Sequence, residues 1–292
     1  MRFMSRLFLV ISAVILVGCT GVEPDLKIQA SVRANPWTHL NLYNNPDNFR
    51  FAIVADRTGG HRPPVFADAV EKLNLLKPEF VVSIGDLIEG YTHDDSELNR
   101  QWDEFDGIVD KLQMPFFYVP GNHDISNAAM ADKWKQRLGP SYYHFVYRNV
   151  LFLCLNTQDG SSRWIDDRQM QYFQKALEEN GNVRWTLVFM HQPMWLSESH
   201  ENWQQFELLL ADRPHTVFAG HLHVYNKSIL EGRGYYILAT TGGAGKGEAG
   251  RPAGLEQCQF DHIVWATMTD DGPVMANLLL DGILDDEPCP DQ

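Results

Sequence analysis

Tyr118-Val119-Pro120-Gly121-Asn122-His123-Asp124 is the stretch around which the rest of the chain can be read. The residues leading into it, 114–119, are apolar and aromatic and predict a buried strand. Pro120-Gly121 then turns the chain. Asn122, His123 and Asp124 follow as an amide oxygen, an imidazole and a carboxylate. The amide oxygen suits a hard cation, the imidazole can donate a proton, and the carboxylate can hold that ring's orientation. An ordinary strand-to-helix loop could carry the same residues, so the decision falls to the rest of the chain.

The chain has 292 residues, room for one large domain or two small ones. With 44% hydrophobic and 12% aromatic residues it can bury a sizeable core. A formal charge of -14 argues against sequence-independent nucleic-acid binding, so no nucleic-acid partner is expected. A phosphorylated small molecule stays compatible with that charge, because a metal site supplies local positive charge.

Arg2 and Arg6 precede an apolar run over 7–17 that is too short for a comfortable membrane span. It ends in Leu16-Val17-Gly18-Cys19, which resembles the lipobox of bacterial lipoproteins. The resemblance implies a signal peptide over 1–18 and membrane attachment through a lipidated Cys19. The protein would then sit in the cell envelope. Thr20 after the Cys points to the periplasmic face of the outer membrane if the source is Gram-negative. An ordinary cleaved signal or a membrane anchor is the competing reading. Residues 19–48 are polar, with several Pro and Asn, and read as a tether. Export would put Cys154, Cys258 and Cys289 in an oxidising compartment. Cys154 lies in an apolar run and reads as an inert buried thiol. Cys258 and Cys289 are open between a disulfide and two free thiols.

Regular structure is expected from 49 to 284, with a short tail over 285–292. Strands are expected at 49–55, 80–84, 114–119, 185–190 and 216–219, and a strand pair at 142–147 and 150–156. Helical spacing predicts helices at 65–76, 97–112, 131–138, 166–179 and 203–210. Strands joined by Gly-rich turns are expected over 235–283. Five of the apolar strands end in polar clusters at their C-terminal tips, and in layered α/β folds sites assemble where such tips converge. The clusters supply Asp56, Asp86, Asn122, His191, His221 and His223. These are oxygen and nitrogen donors without thiolates, a set suited to Mn, Fe or Zn.

In order, the clusters are Asp56-Arg57-Thr58, Gly85-Asp86, Gly121-Asn122-His123-Asp124, His191 and Gly220-His221-Leu222-His223. This series resembles the calcineurin-like metallophosphoesterases, except that Thr58 stands where the family usually has a His. The resemblance implies an α/β fold in which two mixed sheets pack face to face, with helices outside as a four-layer sandwich. It implies two divalent or trivalent metal ions bridged by Asp86. Asp56 and His223 would complete one ion's protein ligands, and Asn122, His191 and His221 would bind the other. Such a pair, roughly 3.5–4 Å apart, activates a hydroxide for attack on phosphorus. His123 would protonate the leaving oxygen, and Asp124 would orient His123 and raise its pKa. The implied substrate is a phosphoester, with phosphatase and phosphodiesterase left open. A binding lipoprotein that keeps the fold with weakened turnover is the competing reading, because of Thr58.

Several residues near the motifs remain. Arg57 could contact a phosphate oxygen or form a salt bridge. Trp164, Trp195, Trp203 and Tyr225 could stack on an organic leaving group or simply pack. The loop Gly242-Gly243-Ala244-Gly245-Lys246-Gly247 lacks the full phosphate-loop pattern and reads as a mobile turn near the site. Glu89, three residues after Asp86, or a water could take the place of the ligand that Thr58 does not provide.

Overall fold

Phe49, Phe51 and Ile53 alternate with Arg50 and Ala52 along β1 (Phe49–Val54), and the strand is buried on both faces except at Arg50. One face packs into a core shared with a second sheet and the other packs under helices. The computed structural model describes residues 38, 42–159, 164–196 and 201–280. Cys19, the signal segment, the tail and Cys289 lie outside the described residues. The chain divides into two units, Met1–Tyr43 and Asn44–Gln292. Of the first, only Thr38, Leu42 and Tyr43 are described, and all three are exposed. The second unit begins ahead of β1. Residues 44–48, read from sequence as tether, belong to it, and the Arg148 guanidinium donates to the carbonyls of Pro46 and Asn48.

The second unit holds two mixed sheets. The first has the order β11-β10-β1-β2-β3, with β2 at Val81–Ser83, β3 at Phe116–Phe117, β10 at His262–Thr269 and β11 at Gly272–Leu279. The second has the order β4-β5-β6-β7-β9-β8. Its members are β4 (Tyr143–Tyr147), β5 (Val150–Cys154), β6 (Trp185–Phe189), β7 (His215–Ala219), β8 (Asn226–Leu230) and β9 (Arg233–Ile237). β1, β2 and β3 run parallel, as do β5, β6, β7 and β9. Their C-terminal ends therefore gather at one edge of each sheet.

Helices cover both outer faces, giving the α/β sandwich of two mixed sheets flanked by helices that the sequence leads one to expect. α1 (Val65–Leu76) places Phe66, Ala69, Val70 and Leu73 on one stripe against the first sheet. It stops at Lys77, whose left-handed backbone precedes Pro78. α2 (Asp95–Val109) starts where the Asp94 carboxylate accepts from the Ser96 and Glu97 amides. α3 (Ala128–Arg137) is capped in the same way by Asn127. α4 (Asp167–Glu179) and α5 (Glu201–Leu210) lie over the second sheet, where Phe173 and Phe206 are fully buried.

One expectation shifts in detail, and one strand, β8, was not expected. The run 114–119 pairs only at Phe116–Phe117. Pro115 and Pro120 have no N–H to give a ladder, although the Pro115 carbonyl still accepts from Val81 and Val119 is fully buried. β8 has no apolar alternation, because it is an exposed edge strand paired on one side only. Cys154 is fully buried, and burial pushes its thiol up to about 12, as an inert core cysteine requires.

The core between the sheets is rich in aromatic rings. Phe152 stacks on Phe145 and Phe189 at ring-centroid distances of 4.5 and 5.9 Å, and meets Phe51 and Phe80 edge-on at 5.5 Å. Phe152→Ala is expected to cost about 3–5 kcal/mol of stability, read as a shift of the urea midpoint at constant slope. A loss under about 1 kcal/mol would mean that the two sheets are not held by this cluster.

Candidate metal centre

Asp56 follows β1, Asp86 follows β2 and Asn122 follows β3, while His191 follows β6 and both His221 and His223 follow β7. The two sheets thus bring all six residues to one edge. Asp56, Asp86, His221 and His223 have φ of 43, 58, 72 and 53°, in the left-handed region that costs a non-glycine residue roughly 1–3 kcal/mol. This turn conformation goes with donor atoms that converge in the loops after the strands.

Donor atoms of Asp86, His191 and His221 lie within 4.8 Å of one another, and so do those of Asp56, Asp86 and His223. Asp86 belongs to both groups. Asn122 Oδ1 stands 2.9 Å from His191 Nε2, which lies 3.1 Å from Asp86 Oδ2 and 3.2 Å from His221 Nδ1. His223 Nε2 lies 3.4 Å from Asp56 Oδ1. All six donors named from sequence are thereby brought together.

The rings are fixed from behind. His191 Nδ1 donates to the Ile84 carbonyl at 2.9 Å, and His223 Nδ1 to the Ala244 carbonyl at 2.6 Å. Each therefore presents Nε2 to the centre, the arrangement that orients imidazole ligands. Glycines leave room for the acids. A Cβ on Gly121 would sit 2.1 Å from Asp86 Oδ1, and one on Gly220 would sit 2.1 Å from Asp56 Oδ2.

The electrostatics call for a cation. Asp56 Oδ2 is buried and has no hydrogen-bond partner. Burial alone would raise the Asp86 carboxyl, but the His191 charge and hydrogen bond override it and hold it at about 2. Burial alone would lower the rings, but Asp86 raises His191 to about 9 and Asp56 raises His223 to about 9. Without metal these rings carry protons at neutral pH, and an entering ion must displace them. A buried carboxylate oxygen without a partner, together with an oxygen-and-nitrogen donor set, fits a pair of divalent ions.

Asp124 requires a correction. Its carboxylate is taken by backbone amides rather than by the His123 ring. It is fully buried, and its carboxylate accepts from the amides of Asp86, Leu87 and Gly121 at 2.8 Å and Ile88 at 3.2 Å. Burial pushes it up to about 7, the Asp86 charge adds to that, and the amide donors oppose it. It locks the Asp86 turn to the Asn122 turn. The His123 ring is oriented instead by the Glu89 carbonyl, 2.7 Å from Nδ1. A carboxylate next in sequence is a natural candidate to hold a ring, but the tight turn at Asp124 directs it backwards into the core.

Other candidates also find their places. The Glu89 carboxylate accepts from the Gly60 and His61 amides and pairs with the His61 ring at 3.0 Å, and it belongs to neither donor group. Partial burial would raise it, but the His61 amide and further hydrogen bonds hold it at about 2. The group of Asp56, Asp86 and His223 therefore stands without a further carboxylate or imidazole from Glu89. Arg57 turns away from the centre: it is buried, donates to the Leu87 carbonyl at 2.8 Å and pairs with Glu104 at 2.5 Å. Trp203 is buried, Trp195 packs on Trp203 and Tyr235, and Tyr225 packs on Phe260, leaving Trp164 exposed. The glycine loop lies behind His223, held by Gly243 N–H to the Asp56 carbonyl at 2.8 Å as well as by the Ala244 contact. Tyr91, which sequence reasoning missed, reaches both Asn122 and His123.

A calcineurin-like phosphoesterase family model matches residues 49–225. The chain belongs to that family, and with it to the metal-dependent phosphoester hydrolases that use a dinuclear divalent centre. It is 30% identical over 233 residues to the rat serine/threonine-protein phosphatase CPPED1, across 70% of this chain and 68% of that protein. The match to the mouse protein of the same name is also 30% identical and spans 53% of this chain and 57% of that one. A zebrafish (Danio rerio) dimetal phosphatase shares the fold, with a TM-score of 0.61 at 15% identity over 80% of this chain and 96% of that one.

Gly121→Ala tests the cradle. Its φ needs no glycine, so any effect comes from the clash with Asp86. Metal affinity is expected to fall by about 10–100-fold in a calorimetric titration, with the circular dichroism spectrum kept. Unchanged affinity would show that Asp86 does not depend on this gap.

Proposed function

We propose that Asp56, Asp86, Asn122, His191, His221 and His223 hold two metal ions and that His123 serves the hydrolysis of a phosphoester as proton donor. The observation that carries this reading is the single Asp86 carboxylate common to two donor groups. When bound, the ions would supply Lewis-acid polarisation of phosphoryl oxygens and a nucleophile at neutral pH. Mn, Fe and Zn all suit the donors.

The chain's own residues do the rest. The His123 N–H donates to Asp86 Oδ1 at 2.9 Å, so the proton donor and the shared carboxylate are fixed to each other. With Nδ1 donating to Glu89, His123 keeps Nε2 for the proton that the leaving oxygen needs. A Cβ on Gly59 would lie 3.6 Å from that Nε2 and 3.0 Å from His223 Cε1, so the His123 and His223 rings face the same space. Asp124 acts through backbone amides and is a positioning residue.

His191→Ala and His123→Ala separate these roles. His191→Ala is expected to lose one metal per chain and nearly all activity while keeping the fold. His123→Ala is expected to keep both metals and to lose about 10²–10⁴-fold in turnover of an ester with a poor leaving group. Elemental analysis beside rate measurements reads both. Two metals with full rate in His191→Ala would overturn the ligand set, and an unchanged rate in His123→Ala would overturn the acid.

We also propose that the protein is a lipoprotein anchored through Cys19 in the cell envelope, a reading supported by Leu16-Val17-Gly18-Cys19. Among the described residues no helix is long and apolar enough to cross a membrane. Cys19→Ser is expected to move the protein from the membrane to the soluble fraction and to remove the lipid mass. A mature wild-type protein beginning elsewhere than Cys19 would contradict the anchor.

A further inference from the structure

Tyr91 is 59% exposed, yet it is built into the candidate centre. Its hydroxyl oxygen accepts from Asn122 Nδ2 at 2.8 Å. Its ring meets the His123 ring edge-on, with centroids 4.7 Å apart and planes at 82°. Its φ is 50°, directly after Gly90 at 61°, and a bulky residue with positive φ is an outlier. Gly90 has no alternative: a Cβ there would lie 1.7 Å from the His123 carbonyl oxygen. The pair Gly90-Tyr91 is thus pressed against the His123 backbone and sets an aromatic ring beside the His123 ring. Burial cannot account for a ring that stays mostly in solvent.

Position gives the ring its use. His123 faces the leaving oxygen through Nε2, so whatever flanks that ring also flanks the path of the leaving group. The Tyr91 oxygen already accepts from Asn122, which leaves its own proton for an acceptor on a bound molecule. The exposed part of the ring offers a planar apolar wall. Leu222, between His221 and His223, is 40% exposed and adds apolar surface at the same strand-tip edge.

We propose that Tyr91 is a substrate-contact residue that selects phosphoesters whose leaving group carries an aromatic ring at the ester oxygen, such as an aryl phosphate or a phosphotyrosyl side chain. This substrate class rests on the phosphoester hydrolase reading above. Ring against ring favours the aryl ester through its geometry, and an alkyl ester gains nothing from the wall.

The test compares wild type, Tyr91→Phe and Tyr91→Leu, each loaded with Mn. Phenyl phosphate and glycerol 2-phosphate are the substrates, and phenylphosphonate and methylphosphonate are non-hydrolysed ligands for calorimetry. In Tyr91→Leu the ratio of kcat/KM for phenyl over glycerol phosphate should fall by about tenfold, mostly through KM. Measured against Tyr91→Phe, which shares the loss of the Asn122 contact, phenylphosphonate should weaken by a similar factor while methylphosphonate holds. Tyr91→Phe should keep both preferences even where loss of the Asn122 contact slows both esters. Preferences unchanged within twofold in Tyr91→Leu would overturn the inference. So would an equal loss for both phosphonates, which would mark Tyr91 as merely structural. If the wild type hydrolyses neither ester, the hydrolase reading fails, and the phosphonate affinities still decide the role of Tyr91.

Discussion

The Asp86 carboxylate is the constraint on which the rest of the site depends. It is 2% exposed, stands in both donor groups, and accepts the His123 amide. Burying such a group is costly unless cations or donors surround it. The fold provides those surroundings from both sheets: His191 from the second, and the Gly121–His123 turn from the first. Asp124, behind it, fastens the two turns of the first sheet through amides on either side. The parallel strands are needed because they deliver all the tips to one edge, and the helices are needed because the same strands are buried on both faces.

The site is therefore a centre of buried carboxylates and imidazoles in an acidic chain. In the metal-free state the imidazole protons of His191 and His223 balance Asp86 and Asp56. Asp56 Oδ2 nevertheless keeps no hydrogen-bond partner, which leaves an acceptor open to a cation. Divalent ions that displaced those protons would leave the centre more positive than the imidazolium protons do, and so able to receive a phosphate. Thr58 is fully buried and is not one of the donors in the group of Asp56, Asp86 and His223, which still lie within 4.8 Å of one another.

Much of this was legible in the sequence. The helix over Val65–Leu76 follows from its apolar stripe and Pro78, and the strand tips followed from apolar runs that stop at Asp, Asn or His. The six donors came from those tips, because a strand's end is set by its own residues. What sequence did not carry were contacts made through turn geometry. Asp124 looks like a partner for the neighbouring His123, but the tight turn points it at the Asp86, Leu87 and Ile88 amides instead. Arg57 looks like a phosphate clamp beside a ligand, but Glu104, 47 residues away, takes its guanidinium. Glu89 serves the Gly60-His61 turn, and Tyr91 reaches Asn122 only because Gly90 bends the chain. β8 had no pattern to find, being an edge with little to bury.

Electron paramagnetic resonance of the Mn-loaded protein tests the shared carboxylate most directly. Two ions bridged by Asp86 should give an exchange-coupled signal at two equivalents of Mn, and Asp86→Asn should abolish it. Isolated six-line Mn signals at two equivalents in the wild type would contradict a common ligand, and with it the dinuclear account of this site.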